Sequence, residues 1–247
     1  MAEIIRTSNP ALNEKAFKAQ SAFGDAMTLQ GTVNKTGLLL LCVVATAAWT
    51  WGMSHSATPG AAIPWMIGGL LGGFVVALVT IFKPAWSPFT APLYALLEGL
   101  ALGGISAMFE QRYHGVAIQA VGLTFGTLFV MLMAYKTGVI RATQGFKLGV
   151  IAATGGIAVL YLVEMVLAFF HIQVPAINGS GIIGIGFSLF VVIIAALNLV
   201  LDFDMIETGV NGGAPKYMEW YGAFGLMVTL IWLYLEILRL LSKLRDR

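Results

Sequence analysis

Six acidic side chains fall inside or at the edge of long apolar runs: Glu98, Glu164, Asp202, Asp204, Glu207 and Glu236. A charge at the centre of a bilayer costs at least about 2.5 kcal/mol even on insertion-based scales, so carboxylates at such depth face a bundle interior or a water-filled path rather than lipid. On a helix Asp202 and Asp204 lie about 200° apart and cannot face one pore. Ser188, Ala195, Asn198 and Asp202, by contrast, share one face at steps of seven, three and four residues. That narrow stripe of small and polar groups leads to Asp202. It reads either as a pathway or as a helix contact ending in a headgroup-level acid, and the expense of an unpaired ionisable group favours the pathway. Asp204 and Glu207 are expected at the membrane edge, turned away from Asp202.

Glu236 follows Asp202 by 34 residues and has two rival partners. Arg239, three residues on along the same face, would neutralise it as an intrahelical pair. If Glu236 faces Asp202 instead, two carboxylates at close range cannot both ionise cheaply and would share a proton. The segment between them is symmetric about Glu219, which puts each carboxylate about 25 Å from that apex if the chain is wholly helical. A turn over residues 209–215 and a last helix starting near Ala223 would shorten this enough for the two to meet. The residues alone leave both partners open. Glu98, four residues after Tyr94, is expected to face the bundle, and Glu164 reads as a second polar site or as a residue hydrogen-bonded to a neighbouring helix. His55, His114 and His171 all fall at helix ends, which argues against a histidine proton relay at depth. No Gly-x-Ser-x-Gly, His-Glu-x-x-His or nucleotide-binding glycine loop occurs, so an enzyme or an ATP-driven pump is not expected, nor is a cofactor.

The elements that must position these groups follow from composition. The 247 residues are 58% hydrophobic and 11% charged, with a mean hydropathy of +0.86, against about 25% charged for an ordinary soluble domain. The fold class is therefore an all-α integral membrane protein, a bundle of seven transmembrane helices placed near residues 37–54, 61–82, 90–109, 115–135, 148–170, 181–206 and 221–241. Runs of roughly 20 apolar residues are what a hydrocarbon core of about 30 Å requires. Residues 1–36 form a polar N-terminal segment, with a short amphipathic helix expected through Leu12, Phe17 and Phe23; its layout does not match a secretory signal. Residues 37–247 form the transmembrane domain.

With a cytoplasmic N-terminus, Arg6, Lys15, Lys18, Lys35, Lys83, Lys136, Arg141, Lys147 and Lys216 fall on the cytoplasmic side, against Arg112, Arg239, Lys243, Arg245 and Arg247 on the other. Nine against five favours that orientation. The basic C-terminus dissents, and a seventh segment that enters without fully crossing would reconcile it. Glycines four apart within helices, such as Gly99 with Gly103 and Gly122 with Gly126, suit close helix packing in lipid. The lone cysteine, Cys42, excludes an intramolecular disulfide, and the scattered basic residues exclude nucleic acid as a partner.

Leu201-Asp202-Phe203-Asp204-Met205-Ile206, followed by Leu233-Tyr234-Leu235-Glu236-Ile237-Leu238-Arg239-Leu240-Leu241, resembles the transmembrane Bax inhibitor motif proteins of Bax inhibitor-1 type in a bacterial form. The resemblance covers roughly residues 37–244. Ala91-Pro92-Leu93-Tyr94-Ala95-Leu96-Leu97-Glu98-Gly99 and Glu219-Trp220-Tyr221-Gly222-Ala223-Phe224-Gly225 fit the same branch. It implies a seven-helix fold in which carboxylates on helices six and seven form a pH-responsive pair controlling a calcium leak. Asp202 matches the first position, and Glu236 the second, where aspartate is more common. Some members latch the pair with an arginine near the inner end of helix two; here Lys83 stands near that place, a point charge in place of a planar fork.

The function expected from these readings is a passive, pH-sensitive Ca2+ leak of a bacterial inner membrane. Asp202 and Glu236 would hold the ion transiently, and Asn198, Ser188, Lys83, Arg239, Glu98 and Glu164 would line or latch the path. Carboxylate oxygens suit a hard cation, and a transient site must release it readily. The alternative is a regulatory protein that binds a membrane protease or another membrane component through its polar N-terminal segment.

Overall fold

The computed structural model of the chain describes residues 26–54, 60–170, 177 and 179–246. Seven helices in it are long and apolar enough to span a membrane: α1 (Leu29–Ser54), α2 (Ile63–Phe82), α3 (Ser87–Arg112), α4 (Val116–Lys136), α5 (Gln144–Phe169), α6 (Ile182–Asn211) and α7 (Met218–Arg245). No named strand occurs among the described residues. The amphipathic helix expected around Leu12, Phe17 and Phe23 lies outside the described residues, as do His55 and His171. Helix α1 begins two turns earlier than hydropathy suggests, because Thr32, Lys35 and Thr36 are helical residues whose polar groups find partners inside the protein.

The helix ends are specified locally. Pro84 and Pro88 open a 3-10 turn and α3, where the missing N–H costs nothing. Gly115 adopts φ +80° before α4, and the Glu110 carboxylate accepts from the backbone N–H groups of Gly115 and Ala117, placing an anion at the positive end of that helix. Thr143 caps α5 by accepting from the N–H of Phe146.

Consecutive helices run antiparallel, and α7 is the hub. It packs against α1, α3, α4 and α6, while α5 packs against α6 and α2 against α3. Two buried clusters meet on α7: Leu230, Leu233, Ile237 and Leu238 with Leu199, Val200 and Phe203 of α6, and Phe224, Met227 and Ile231 with Leu39, Val43 and Tyr94. Association within lipid has no hydrophobic drive of the aqueous kind, so close backbone approach must supply van der Waals contact. Gly99 and Gly103 of α3 do this against α1: a β-carbon on either would overlap Thr46 or Thr50. Gly69 does the same against the backbone of α3 at Leu97. Gly122 and Gly126, in contrast, have open space beside them.

Helix α7 corrects one expectation. Its start hydrogen-bonds to the α2–α3 side, where Ser87 Oγ donates to the Tyr217 carbonyl, and its end reaches the α3–α4 connection, where Arg112 pairs with Asp246. Twenty-eight residues span about 42 Å. The last segment therefore runs the full height of the bundle, and the two ends of the helical domain lie on opposite faces.

Candidate functional site: the seam between α6 and α7

The antiparallel register of α6 and α7 is fixed by two polar contacts. Thr229 hydrogen-bonds the Asp202 carboxylate, and the Lys243 ammonium donates to Ser188 Oγ at 2.8 Å. Residue numbers across each contact add to the same value, so Ala195 stands opposite Glu236. Both helices carry these groups at seven-residue steps: Ser188, Ala195 and Asp202 on α6, and Thr229, Glu236 and Lys243 on α7. Seven residues are two turns, so the rungs lie about 10 Å apart along the seam.

Asp202 and Glu236 therefore occupy different rungs. Asp202 is half-buried; its Oδ2 is sealed from solvent and makes no hydrogen bond. Gly225 lies against its other oxygen. Glu236 is 3% exposed. Its Oε1 accepts from the Tyr161 hydroxyl of α5 at 2.9 Å and from Arg239 at 3.4 Å, and its Oε2 is sealed and makes no hydrogen bond. Arg239 in turn donates to Tyr161 Oη at 2.8 Å and lies over that ring, 5.0 Å from its centroid. The nearer rival, Arg239, is thus the partner of Glu236. The turn between the two helices explains this: α6 continues to Asn211 and α7 starts at Met218, which moves the apex to Pro215 and shifts the register by seven residues from a pairing centred on Glu219.

The remaining candidates divide between this seam and other contacts. Ser188 belongs to the Lys243 rung. Asn198 turns toward α5, donating to Thr154 Oγ1 at 2.8 Å and to the Ile194 carbonyl. Glu98 packs against Gly73 of α2 and hydrogen-bonds Tyr94, so it serves the α2–α3 contact. Glu164 of α5 is half-buried and close enough to act electrostatically on Tyr161 and Lys243. Lys83 is exposed at the end of α2. Asp204 pairs with Lys147 and Glu207 with the Tyr135 hydroxyl, both on faces turned away from Asp202. These two acids border a cavity of about 350 Å3 with Lys136 and Arg141.

Two groups gain a significance that spacing alone did not suggest. Lys243 entered the sequence reading only as a basic residue near the C-terminus, yet it is 5% exposed and donates to three oxygens. The repeated seven-residue step on both helices was a signal that would have found it. Glu219 has no exposed side-chain surface; it pairs with Lys35 and Lys216 and accepts two bonds from Thr28. Nothing in local spacing connects Glu219 to partners nearly two hundred residues away.

Among the described residues no group of three or more histidine, cysteine or acidic side chains is arranged to hold a metal ion. Along the seam the two carboxylates lie on separate rungs, so a cation there would meet one carboxylate at a time.

Comparison with known proteins adds the family. No curated protein and no solved structure matches the chain. The family model described as Bax inhibitor 1 like matches residues 9–246. A seven-helix multi-pass membrane protein matched over nearly its whole length, the chain belongs to the Bax inhibitor 1 like family.

Proposed function

We propose that the protein is a passive, pH-sensitive cation leak, with Ca2+ as its ion, and that the α6–α7 seam is its path. One observation carries this reading. Among the described residues, the buried side-chain oxygens that make no hydrogen bond are Asp202 Oδ2 and Glu236 Oε2, and both lie on this one seam. A buried polar atom without a partner is costly and is retained where a ligand, ion or proton completes it. Two stations two turns apart allow a cation to be handed on without being trapped, since conduction needs sites that are weak and multiple. Proton and metal ion compete for the same oxygens, which couples the leak to pH. The calcium leak that the resemblance implies agrees with this chemistry, and the excess of basic residues on the N-terminal face supports a cytoplasmic N-terminus in a bacterial inner membrane.

The test is passive Ca2+ entry into proteoliposomes over a pH series. Asp202→Asn is expected to lower flux by at least about tenfold, the loss of one carboxylate attraction at close range. Glu236→Gln is expected to lower it as well, and each variant flattens the pH response. Flux and pH response equal to the parent protein in both variants would refute the reading.

A further inference from the structure

We propose that the Lys243 ammonium is a built-in cation that occupies, and so blocks, a metal-ion site at the outer end of the α6–α7 seam; this rests on the cation-leak reading. Its Nζ donates to the carbonyl oxygens of Ile177 at 2.5 Å and Gly184 at 3.1 Å, and to Ser188 Oγ at 2.8 Å. Three hydrogens meet three oxygens, so the ammonium is fully satisfied. A lysine kept for stability alone would be matched by a carboxylate, because a buried charge is cheapest beside its opposite. Here the first neighbours are neutral carbonyl and hydroxyl oxygens, the set that replaces the hydration shell of a cation in a selectivity filter.

The cage is built by the chain on purpose-shaped backbone. Gly184 lets Gly179 lie against the start of α6, since a β-carbon there would overlap the Gly179 carbonyl. The Ile177 carbonyl stands beside the first turn of α6, where it and the Gly184 carbonyl accept from the same ammonium. The charged groups nearby are Glu236 and Arg239 on α7 and Glu164 from α5, with the Tyr161 hydroxyl between them. An ion leaving the Glu236 rung along the seam meets Lys243 next. A fixed positive charge about 10 Å from that rung lowers occupancy there about tenfold for a monovalent cation and roughly a few hundredfold for Ca2+ at an effective dielectric near 20.

Two measurements on the full chain test this. Lys243→Met vacates the cage, and calorimetric titration of the purified variant with Ca2+ is expected to show a site that the parent lacks and that Ser188→Ala in the same background removes. In proteoliposomes Lys243→Met is expected to raise passive Ca2+ flux at least about tenfold, while Lys243→Arg, which keeps the charge, stays at the parent level. Lys243→Gln still donates to the carbonyls and is the variant to read if the methionine protein does not fold; its flux is expected to rise too. A folded Met or Gln variant without new Ca2+ binding and without increased flux overturns the inference. Failure of both to fold also overturns it, because Lys243 is then only a structural tie. New Ca2+ binding with no flux in any protein, the parent included, leaves the cage standing and overturns the leak reading instead.

Discussion

At the residue scale the turn end of the α6–α7 pair holds two acids in contrasting ways, Glu219 enclosed and Glu207 open to solvent. Glu219 is enclosed by two ammonium groups and two donors from Thr28, and a β-carbon on Gly31 would collide with its carboxylate. Replacing it by glutamine strands Lys35, so Glu219→Gln is expected to lower stability by about 3 kcal/mol, the range found when one member of a buried pair is removed. Glu207 is exposed and accepts from the Tyr135 hydroxyl. Glu207→Gln is expected to cost less than about 1 kcal/mol, as exposed polar pairs do. Thermal unfolding of both purified variants in one detergent checks this, and equal losses would contradict the assignment. The difference in legibility is physical. Glu236 and Arg239 are three residues apart, so helix geometry offers Arg239 as one of two candidate partners, and the fold chooses it. Lys35 and Glu219 are joined only by the fold, and no periodicity reports a contact between the first helix and the last.

At the scale of elements, hydropathy located all seven helices because lipid demands uninterrupted apolar runs, but it misjudged their ends. Residues 29–36, 207–211 and 242–245 look like connections by composition yet are helical. Their polar groups are satisfied by other parts of the protein, as with Lys35 on Glu219 and Lys243 in its cage. The same error misplaced the turn before α7 and, through it, the register of the carboxylates. Glycine spacing was also ambiguous, since Gly99 with Gly103 and Gly122 with Gly126 look alike in sequence but only the first couple meets a helix. Gly103→Leu is expected to abolish the folded protein by forcing α1 and α3 apart, whereas Gly122→Leu is tolerated. Size-exclusion profiles of the two variants distinguish them; a well-folded Gly103→Leu protein would disprove the close contact.

For the whole molecule, the seven spans place the two ends of the helical domain on opposite faces. A fluorescent protein fused at the N-terminus is expected to remain fluorescent in the cytoplasm, while alkaline phosphatase fused at the C-terminus is expected to be active outside it. The reverse pattern would invert the proposed orientation. The bundle is uneven: α7 is buried more fully than any other span and α5 least. The order of synthesis gives this unevenness a consequence. A ribosome delivers α1 to α6 before α7 exists, so six helices must wait in the bilayer around a vacancy that only the final one fills. The clasp at Glu219 and the contacts of Leu230, Leu233 and Leu238 all form after that arrival. A transcript truncated before residue 218 would yield a chain that inserts yet has no centre, and quality-control proteolysis would meet it as an open bundle rather than as a slightly shortened protein.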